Sequence, residues 1–290
     1  MSKILVTGAT GALGGLTVQA LLHRVSADRV VALVRDGSRV AHLRDQGVEV
    51  RQGDYQDRAS LLSAFQGIDA LLLVSAVAFT DRLAQHVNVI EAAKAAGVRH
   101  VVYTSIQRKP GSSFNIDGVT ESDIATEQAL KDSGLNYTIL RNGLYFEALG
   151  FLLGEDVLSK GVHVVEGEGK GALVTRGDLA EANAVVLTQA GHENAIYTLG
   201  ASEAVSFREI ATELSALHDE PVVYSPVSAD QFVADLIDAG LPPAVAEFQA
   251  QWEMAVAHGE FAEVSGDLER LIGRKPVGYR EYLRAAYGVN

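Results

Sequence analysis

The 290-residue sequence predicts an α/β protein with a doubly wound parallel sheet and a smaller C-terminal α/β lobe. In the first half, short runs of branched apolar residues alternate with segments of helical periodicity in six successive units. The connections between these units are short, so the right-handed crossover rule leaves few other topologies. The alternation becomes irregular past residue 145, which predicts a main domain over 1–145. A smaller lobe is expected over 146–290, with some of its strands and helices returning to the first core.

The first unit contains a glycine-rich turn between a strand and a helix. Residues 3–7 are rich in branched apolar side chains, and Gly8, Gly11 and Gly14 follow as an apolar helical pattern begins. Gly8 can adopt a tight turn, Gly11 lets the backbone approach a pyrophosphate, and Gly14 lets the helix pack on the strand. The helix N-terminus offers free N–H groups to phosphates. We therefore predict a Rossmann-type dinucleotide site, with an ordinary strand-to-helix turn as the alternative.

The second unit ends on a charged pair that can distinguish two dinucleotides. A buried strand over 29–34 is followed directly by Arg35 and Asp36. In dinucleotide folds this position meets the adenosine ribose, where an arginine binds a 2′-phosphate and a carboxylate binds the 2′-hydroxyl. Because the arginine comes first, we expect NADP(H). The alternatives are NAD selected by Asp36, or Arg35 as a solvated surface residue.

The third and fourth units bring polar and small residues to the predicted carboxyl edge of the sheet. Strand 48–51 leads into Asp54, which could reach an adenine, although an ordinary turn aspartate is the alternative. Strand 68–74 has the continuous apolar character of a fully buried parallel strand. It releases Ser75 and Ala76 at the edge where ligands bind in such folds.

The fifth and sixth units bring further candidate residues to the same edge. Strand 98–104 leads to Ile106, and strand 137–140 leads to Asn142. Between these strands, the stretch over 109–118 contains Gly, Ser and Pro and is the best candidate for a mobile substrate loop.

The second half contains less regular elements. The sequence predicts a helix over 146–159, a short strand over 162–165 and a helix from Asp178. A further strand is expected over 196–199, and the apolar spacing over 207–217 is typical of an amphipathic helix.

The composition disfavours several classes of function. The formal net charge is −13 without a basic run, which argues against nucleic acid as a partner. No apolar run is long enough to span a bilayer, and the chain leads straight into its first strand, so we expect a cytoplasmic protein that does not engage a membrane. Cysteine is absent and the eight histidines lack paired-ligand spacing, so we expect no metal site.

Six motifs occur together across nearly the whole chain. They are the glycine turn at 8–14, Arg35, Gly53-Asp54-Tyr55, Thr126-Glu127, Leu140–Tyr145 and Leu271–Pro276. With these motifs the chain resembles the NmrA-like group of atypical short-chain dehydrogenases, and within it the members that reduce quinones or triphenylmethane dyes. The resemblance implies NADPH as the donor and a small quinone or conjugated dye-like molecule as the hydride acceptor. A homodimer is compatible with it.

The resemblance also implies roles for individual residues. The phosphates would be held by Gly8, Thr10, Gly11, Ala12, Leu13 and Gly14. The rest of the cofactor would meet Arg35 at the 2′-phosphate, Asp54 at the adenine, and Ser75, Ala76 and Asn142 along the nicotinamide half. The acceptor pocket would be shaped by Phe79, Ile106 and Tyr145.

The chain departs from mainstream short-chain dehydrogenases at the catalytic positions. No tyrosine is followed by lysine in the Tyr-x-x-x-Lys spacing, in which the tyrosine donates a proton to the substrate. Many NmrA-like relatives keep a lysine or histidine four residues before the glutamate of Thr126-Glu127. That position is Asp123 here, so the usual cation is missing. An epimerase or dehydratase would need the Tyr–Lys pair and is disfavoured.

These departures fit acceptors that need little acid catalysis. Hydride transfer to a quinone or a cationic dye creates no strongly basic alkoxide, so orientation over the nicotinamide can suffice, with water supplying any proton. Tyr145 is then either the catalytic aromatic residue of the pocket or ordinary core packing. The other function left open is a non-catalytic NADP-binding redox sensor, a role that the loss of the lysine or histidine would permit.

Overall fold

The computed structural model describes residues 2–218 and 220–288, without the side chain of Arg39. The strands of the main sheet are β1 (Ile4–Val6), β2 (Val30–Val34), β3 (Glu49–Gln52), β4 (Ala70–Leu73), β5 (His100–Ile106), β6 (Asn136–Asn142) and β8 (Ala195–Leu199). A two-stranded parallel sheet consists of β7 (Val162–Val165) and β9 (Tyr224–Val227). The main sheet has the order β3-β2-β1-β4-β5-β6-β8, and every neighbouring pair is parallel. The predicted Rossmann-type doubly wound sheet is confirmed.

The helices connect these strands and surround the smaller sheet. They are α1 (Ala12–Leu22), α2 (Ala41–Asp45), α3 (Arg58–Ala64), α4 (Arg82–Ala96), α5 (Thr120–Asp132), α6 (Leu149–Leu153), α7 (Val157–Lys160), α8 (Arg176–Thr188), α9 (Phe207–Ala216), α10 (Ala229–Asp238), α11 (Pro243–Ala257), α12 (Asp267–Ile272) and α13 (Tyr279–Tyr287). Short 3₁₀ turns lie at Ala27–Arg29, Gly37–Arg39 and Phe146–Ala148.

Two apolar layers bury the faces of the main sheet. Side chains alternate between them, so Ile4 and Val6 of β1 face one layer while Leu5 faces the other. The first layer packs against α1, α8 and α12, and the second packs against α3, α4 and α5. Because α8, α12 and β8 lie past residue 146, the second half of the chain completes the first core. A domain boundary after residue 145 stays a prediction.

A third apolar cluster forms under the two-stranded sheet. Val162 and Val164 of β7 pack there with side chains from α6, α9, α11 and α13. The predicted strand over 162–165 is confirmed, and the amphipathic helix predicted over 207–217 ends one residue earlier, at Ala216. No helix in the described part of the chain is long and apolar enough to cross a membrane.

Two predicted helices differ from the observed ones for local reasons. The helix expected over 146–159 is interrupted, because Gly154 has a φ of +81° and ends α6 before α7 begins. The helix expected from Asp178 begins two residues earlier, at Arg176. The Thr175 hydroxyl caps it by accepting a hydrogen bond from the Asp178 N–H at 3.1 Å.

Candidate functional site

The glycine turn joins β1 to α1. Gly8 has a φ of +58°, a backbone conformation that favours glycine. A Cβ atom at Gly14 would lie 2.2 Å from the Gly8 carbonyl oxygen, so glycine allows α1 to pack this closely on the turn. The N-cap residue of α1 is Gly11, which has no side chain to cap the helix, so the first N–H groups are open to an anion. Of the predicted phosphate residues, Thr10, Gly11 and Ala12 are exposed and Leu13 is buried.

Tyr55, part of the Gly53-Asp54-Tyr55 motif but without a predicted role, holds this turn in place. The Tyr55 hydroxyl lies 2.8 Å from the Val74 carbonyl oxygen and contacts the Thr7 hydroxyl. The Thr7 hydroxyl donates to the Leu72 carbonyl at 2.9 Å and accepts from the Val74 N–H at 2.9 Å. The ends of β1 and β4 are thereby tied to the loop after β3. The available signal was an aromatic hydroxyl directly after Gly53-Asp54 at a strand end.

At the predicted adenosine end, Arg35 and Asp36 are both exposed but differently engaged. The Asp36 carboxylate accepts hydrogen bonds from the N–H and the hydroxyl of Ser38, at 2.9 and 2.7 Å. These hydrogen bonds hold the pKa of Asp36 below its ordinary value. Asp54 is half-buried, and its carboxylate accepts from the Gln56 N–H at 2.9 Å, which is the turn bond of the alternative interpretation. The Asp36 carboxylate is therefore already hydrogen-bonded within its own turn, whereas the neighbouring Arg35 side chain is exposed.

A cavity of about 470 Å³ lies at the carboxyl ends of β4, β5 and β6. Ser75, Ile106, Asn142 and Tyr145 line it, so the structure brings together four of the predicted nicotinamide and acceptor residues. The glycine turn lies at the same edge of the sheet, because an added Cβ at Gly8 would lie 3.5 Å from the side chain of Val74, the residue before Ser75.

Aromatic side chains from distant segments form one wall of the cavity. Phe248, Trp252 and Phe261 line it, and the Trp252 and Phe261 rings are stacked with centroids 5.8 Å apart. Phe79 is 70% exposed, and its ring lies 4.7 Å from that of Phe248. Phe79 also has a φ of +63°, a strained conformation for a bulky residue. The sequence predicted Phe79 in the pocket; in the structure it contacts Phe248 of this wall but is not a lining residue.

Asn142 and Tyr145 both line the cavity and are joined by a hydrogen bond. The Asn142 side-chain amide donates to the Tyr145 hydroxyl at 3.3 Å, and its carbonyl oxygen is buried without a partner among the described residues. Burial raises the pKa of Tyr145, so the phenol keeps its proton. The Arg176 guanidinium lies 4.8 Å from the centre of the Tyr145 ring. The unpartnered oxygen is an acceptor that an amide group of a ligand could satisfy.

The usual cation is missing at position 123, but the structure shows a different cation beside it. Asp123 does replace it in the sequence, but the Arg82 guanidinium of α4 lies 2.6 Å from the Asp123 carboxylate, and both residues line the cavity. Arg82 also donates to the Ala76 carbonyl at 2.9 Å, while the Ala76 N–H donates to His86 Nε2 at 2.8 Å. A cation is therefore present, supplied by another helix and paired with a carboxylate. The predicted cofactor residue Ala76 is not one of the residues that line the cavity, and it is held through its backbone.

The Thr126-Glu127 motif has two structural roles. His86 Nδ1 lies 2.9 Å from the Thr126 hydroxyl, and burial lowers the pKa of His86 to about 3, so this ring is neutral. Glu127 accepts from the Ser105 hydroxyl at 2.7 Å and pairs with Arg108 and Arg141. Although burial opposes it, hydrogen bonds from Arg141, Arg108 and Ser105 lower the pKa of Glu127 to about 2. The motif thus fixes the ends of β5 and β6 beside the cavity.

The C-terminal motif and the predicted loop do not line this cavity. Arg274 pairs with the buried Asp178 at 2.7 Å, and Asp178 also accepts from the Val277 N–H, so the Leu271–Pro276 motif anchors the start of α8. The stretch over 109–118 lies along a second, more polar cavity of about 470 Å³. Within this stretch, the Lys109 backbone N–H donates a hydrogen bond to the Glu260 carboxylate at 3.1 Å. Its mobility stays a prediction.

The residues present fit a bound dinucleotide. The open N-terminus of α1 suits phosphates, and the unpartnered Asn142 oxygen suits a carboxamide at the neighbouring strand end. Within residues 2–218 and 220–288, no group of three His, Asp or Glu side chains is arranged to hold a metal ion. A parallel Rossmann-type sheet with these two features defines a dinucleotide-binding protein with an adjoining small-molecule cavity.

Within that class, the chain belongs to the NmrA-like family, whose model matches residues 1–283. It is 39% identical over 289 residues to quinone oxidoreductase 2 of Escherichia coli strain K12, with 99% of each chain covered. It is 28% identical over 284 residues to an NAD(P)H azoreductase of Xenophilus azovorans, with 97% of each covered. The structure of Citrobacter sp. triphenylmethane reductase complexed with NADP(H) matches with a TM-score of 0.90 at 38% identity, covering 98% of this chain and 99% of that one.

Proposed function

We propose that this protein is an NADPH-dependent reductase that transfers hydride to a quinone or another planar conjugated acceptor. The observation that supports it most directly is the cavity itself. Its Asn142 oxygen is unpartnered, its Tyr145 hydroxyl is protonated, and its wall is aromatic. The glycine turn follows β1 at the same edge of the sheet, so a phosphate site and an apolar acceptor site lie at one edge. The named activities of the relatives support the same class of acceptor.

Different residues of the chain would bind different parts of the cofactor. The turn from Gly8 to Gly14 would bind the phosphates through backbone N–H groups, and Arg35 would bind the 2′-phosphate. Asp36 is engaged with Ser38, which favours the phosphorylated cofactor over one that needs a carboxylate on its ribose. When bound, the cofactor supplies the hydride. Asn142 would orient its carboxamide.

The remaining residues would position the acceptor. Trp252 and Phe248 line the cavity, and a flat molecule can pack against such aromatic side chains. The Tyr145 hydroxyl accepts from Asn142, and its proton has no protein acceptor among the described residues, so it can donate to an acceptor oxygen. Orientation is the main catalytic contribution, because a quinone or a dye cation forms a delocalised or neutral product. A homodimer and a cytoplasmic location stay predictions from the sequence.

The experiment that tests this function is a turnover assay on the full chain. Purified protein is mixed with NADPH and a panel of quinones, azo dyes and cationic triphenylmethane dyes, and the loss of nicotinamide absorbance is followed. We expect turnover with several panel members and weaker activity with NADH. Tight NADPH binding without turnover on any panel member would contradict the reductase and support the redox-sensor alternative, which requires cofactor binding but no acceptor cavity.

A further inference from the structure

The charged side chains that line the acceptor cavity cancel one another. Within the described part of the chain they are the cations Arg82 and Arg176 and the anions Asp123 and Glu147. Arg82 pairs with Asp123 at 2.6 Å, while Arg176 lies 3.8 Å from Glu147. We propose that Asp123 determines the charge preference of the cavity by neutralising Arg82, so that neutral and cationic acceptors are admitted in preference to anionic ones. This inference rests on the proposed function, since it concerns the acceptor of that site.

The Arg82–Asp123 pair is a buried part of the cavity wall. Arg82 is 7% exposed and Asp123 is 2% exposed. One guanidinium nitrogen donates to Asp123 and another donates to the Ala76 carbonyl at 2.9 Å. The Tyr103 hydroxyl donates to the same Asp123 oxygen at 2.5 Å. Both charges are therefore fixed in place and shielded from solvent. Because water and salt screen buried charges weakly, these charges act over a longer distance than they would in water.

The second pair affects the cavity less. The Arg176 and Glu147 side chains are 25% and 31% exposed, so water and salt screen them. Their geometry is also looser, because the closest contact of Glu147 is with the Arg176 backbone N–H at 3.0 Å. Removing the negative charge of Asp123 would therefore leave an uncompensated, desolvated guanidinium in the wall. Anions would then be attracted and cations repelled.

The groups around Asp123 do not compensate for such a change. His86 is neutral because burial lowers its pKa to about 3, and burial keeps the Tyr103 phenol protonated by raising its pKa. Glu127, on the same helix as Asp123, is already paired with two guanidinium groups, those of Arg108 and Arg141. Tyr145, which also lines the cavity, is a protonated phenol because burial raises its pKa. Asp123 is the ionised group that directly opposes Arg82.

The test compares two acceptors of opposite charge on wild type and Asp123→Asn. The probes are a sulfonated naphthoquinone and a cationic triphenylmethane dye. Their dissociation constants are measured by quenching of Trp252, the single tryptophan of the chain, which lines the cavity. We expect Asp123→Asn to shift the ratio of the two affinities about tenfold toward the anion. Arg82→Gln should shift it toward the cation, and the double variant should restore the wild-type ratio.

Matched controls separate charge from folding and from the chemistry of turnover. Asp132→Asn removes a carboxylate from the exposed end of α5 and should leave the ratio unchanged. Equal weakening of both probes in Asp123→Asn would overturn the inference, because it would indicate loss of the pocket rather than a change of charge. If wild type turns over no acceptor but the binding ratio shifts as expected, the charge role stands and the proposed reductase fails.

A pH series gives a second measurement. Burial raises the pKa of Asp123 above its ordinary value, despite the opposing effect of Arg82. As the pH falls, Asp123 is protonated earlier than an ordinary aspartate, and Arg82 loses its compensation. The wild-type affinity ratio should therefore move toward the anionic probe with decreasing pH, while the ratio for Asp123→Asn stays flat. Parallel pH dependence in the two proteins would contradict the role of Asp123.

Discussion

The two ends of the candidate site are constructed in different ways. The phosphate end lies within residues 8–14 and depends on backbone geometry, with Gly14 packed against the Gly8 carbonyl. The acceptor end is assembled from separate elements, with Arg82 on α4, Asp123 on α5 and Trp252 on α11. The first end cannot change without moving a helix. The second depends on side-chain pairs and can vary by single substitutions, which is compatible with relatives named for different acceptors.

The comparison predicts its largest effect at Gly14. In Gly14→Ala the new Cβ would lie 2.2 Å from the Gly8 carbonyl oxygen, so α1 must move away from the turn. We expect a loss of about 3 kcal/mol in the free energy of unfolding. NADPH binding should fall below detection, as followed by thermal unfolding and nucleotide titration. Gly150→Ala is the control, because its Cβ meets nothing within 4 Å, and it should be neutral or slightly stabilising. Unchanged NADPH affinity in Gly14→Ala would contradict the close packing.

The next effect is expected at Arg35, at the predicted adenosine end of the cofactor site. Arg35→Ala removes the exposed guanidinium proposed to bind the 2′-phosphate, while Asp36 stays engaged with Ser38. We expect NADPH affinity to fall about 10- to 100-fold, the value of a charge-assisted contact, with little change for NADH. Isothermal titration with both nucleotides measures this. Arg58→Ala, which removes an exposed arginine paired with Glu91, should change neither affinity. An equal loss of affinity for NADH and NADPH would show that Arg35 does not discriminate between the two cofactors.

The same difference explains what could be predicted from the sequence. The sheet and the glycine turn follow local rules of periodicity and backbone conformation, which are visible in consecutive residues. The side chains of Arg82 and Asp123 pair although the two positions are 41 residues apart, and no local sequence pattern predicts this pairing. Trp252 likewise reaches the cavity through tertiary packing of α11. Tyr55 is an intermediate case, since its position after a strand was visible but its bonds to β1 and β4 were not.

A smaller effect is expected from a buried carboxyl group on the helix that forms the aromatic wall. Glu253 of α11 is fully buried, and neither carboxylate oxygen has a hydrogen bond of ordinary geometry within the described residues. Burial raises the pKa of Glu253 well above its usual range, with only a small opposing effect from the backbone of Val165. The folded state therefore binds this proton more tightly than the unfolded chain, and stability falls as the pH rises above the unfolded pKa of about 4.3.

Glu253→Gln should remove this pH dependence. At pH 8 we expect the variant to be more stable than wild type by about 1–2 kcal/mol, because no buried carboxyl group has to be kept neutral. The difference should shrink toward pH 4.5, as measured by urea unfolding across the pH range. Glu247→Gln, on an exposed position of the same helix, is the matched control and should show no such trend. A pH-independent difference between wild type and Glu253→Gln would contradict the buried-proton account.

The smallest effect distinguishes orientation from proton donation at the acceptor end. Tyr145→Phe removes a phenol whose only described hydrogen bond comes from Asn142, at 3.3 Å. If orientation dominates, kcat for a neutral quinone should fall less than about fivefold, since water supplies the proton, and kcat for a cationic dye should not change. Tyr137→Phe, at the opposite end of β6, is the control. A loss of about 100-fold confined to the quinone would instead make Tyr145 the proton donor, because a cationic dye needs no proton after hydride transfer.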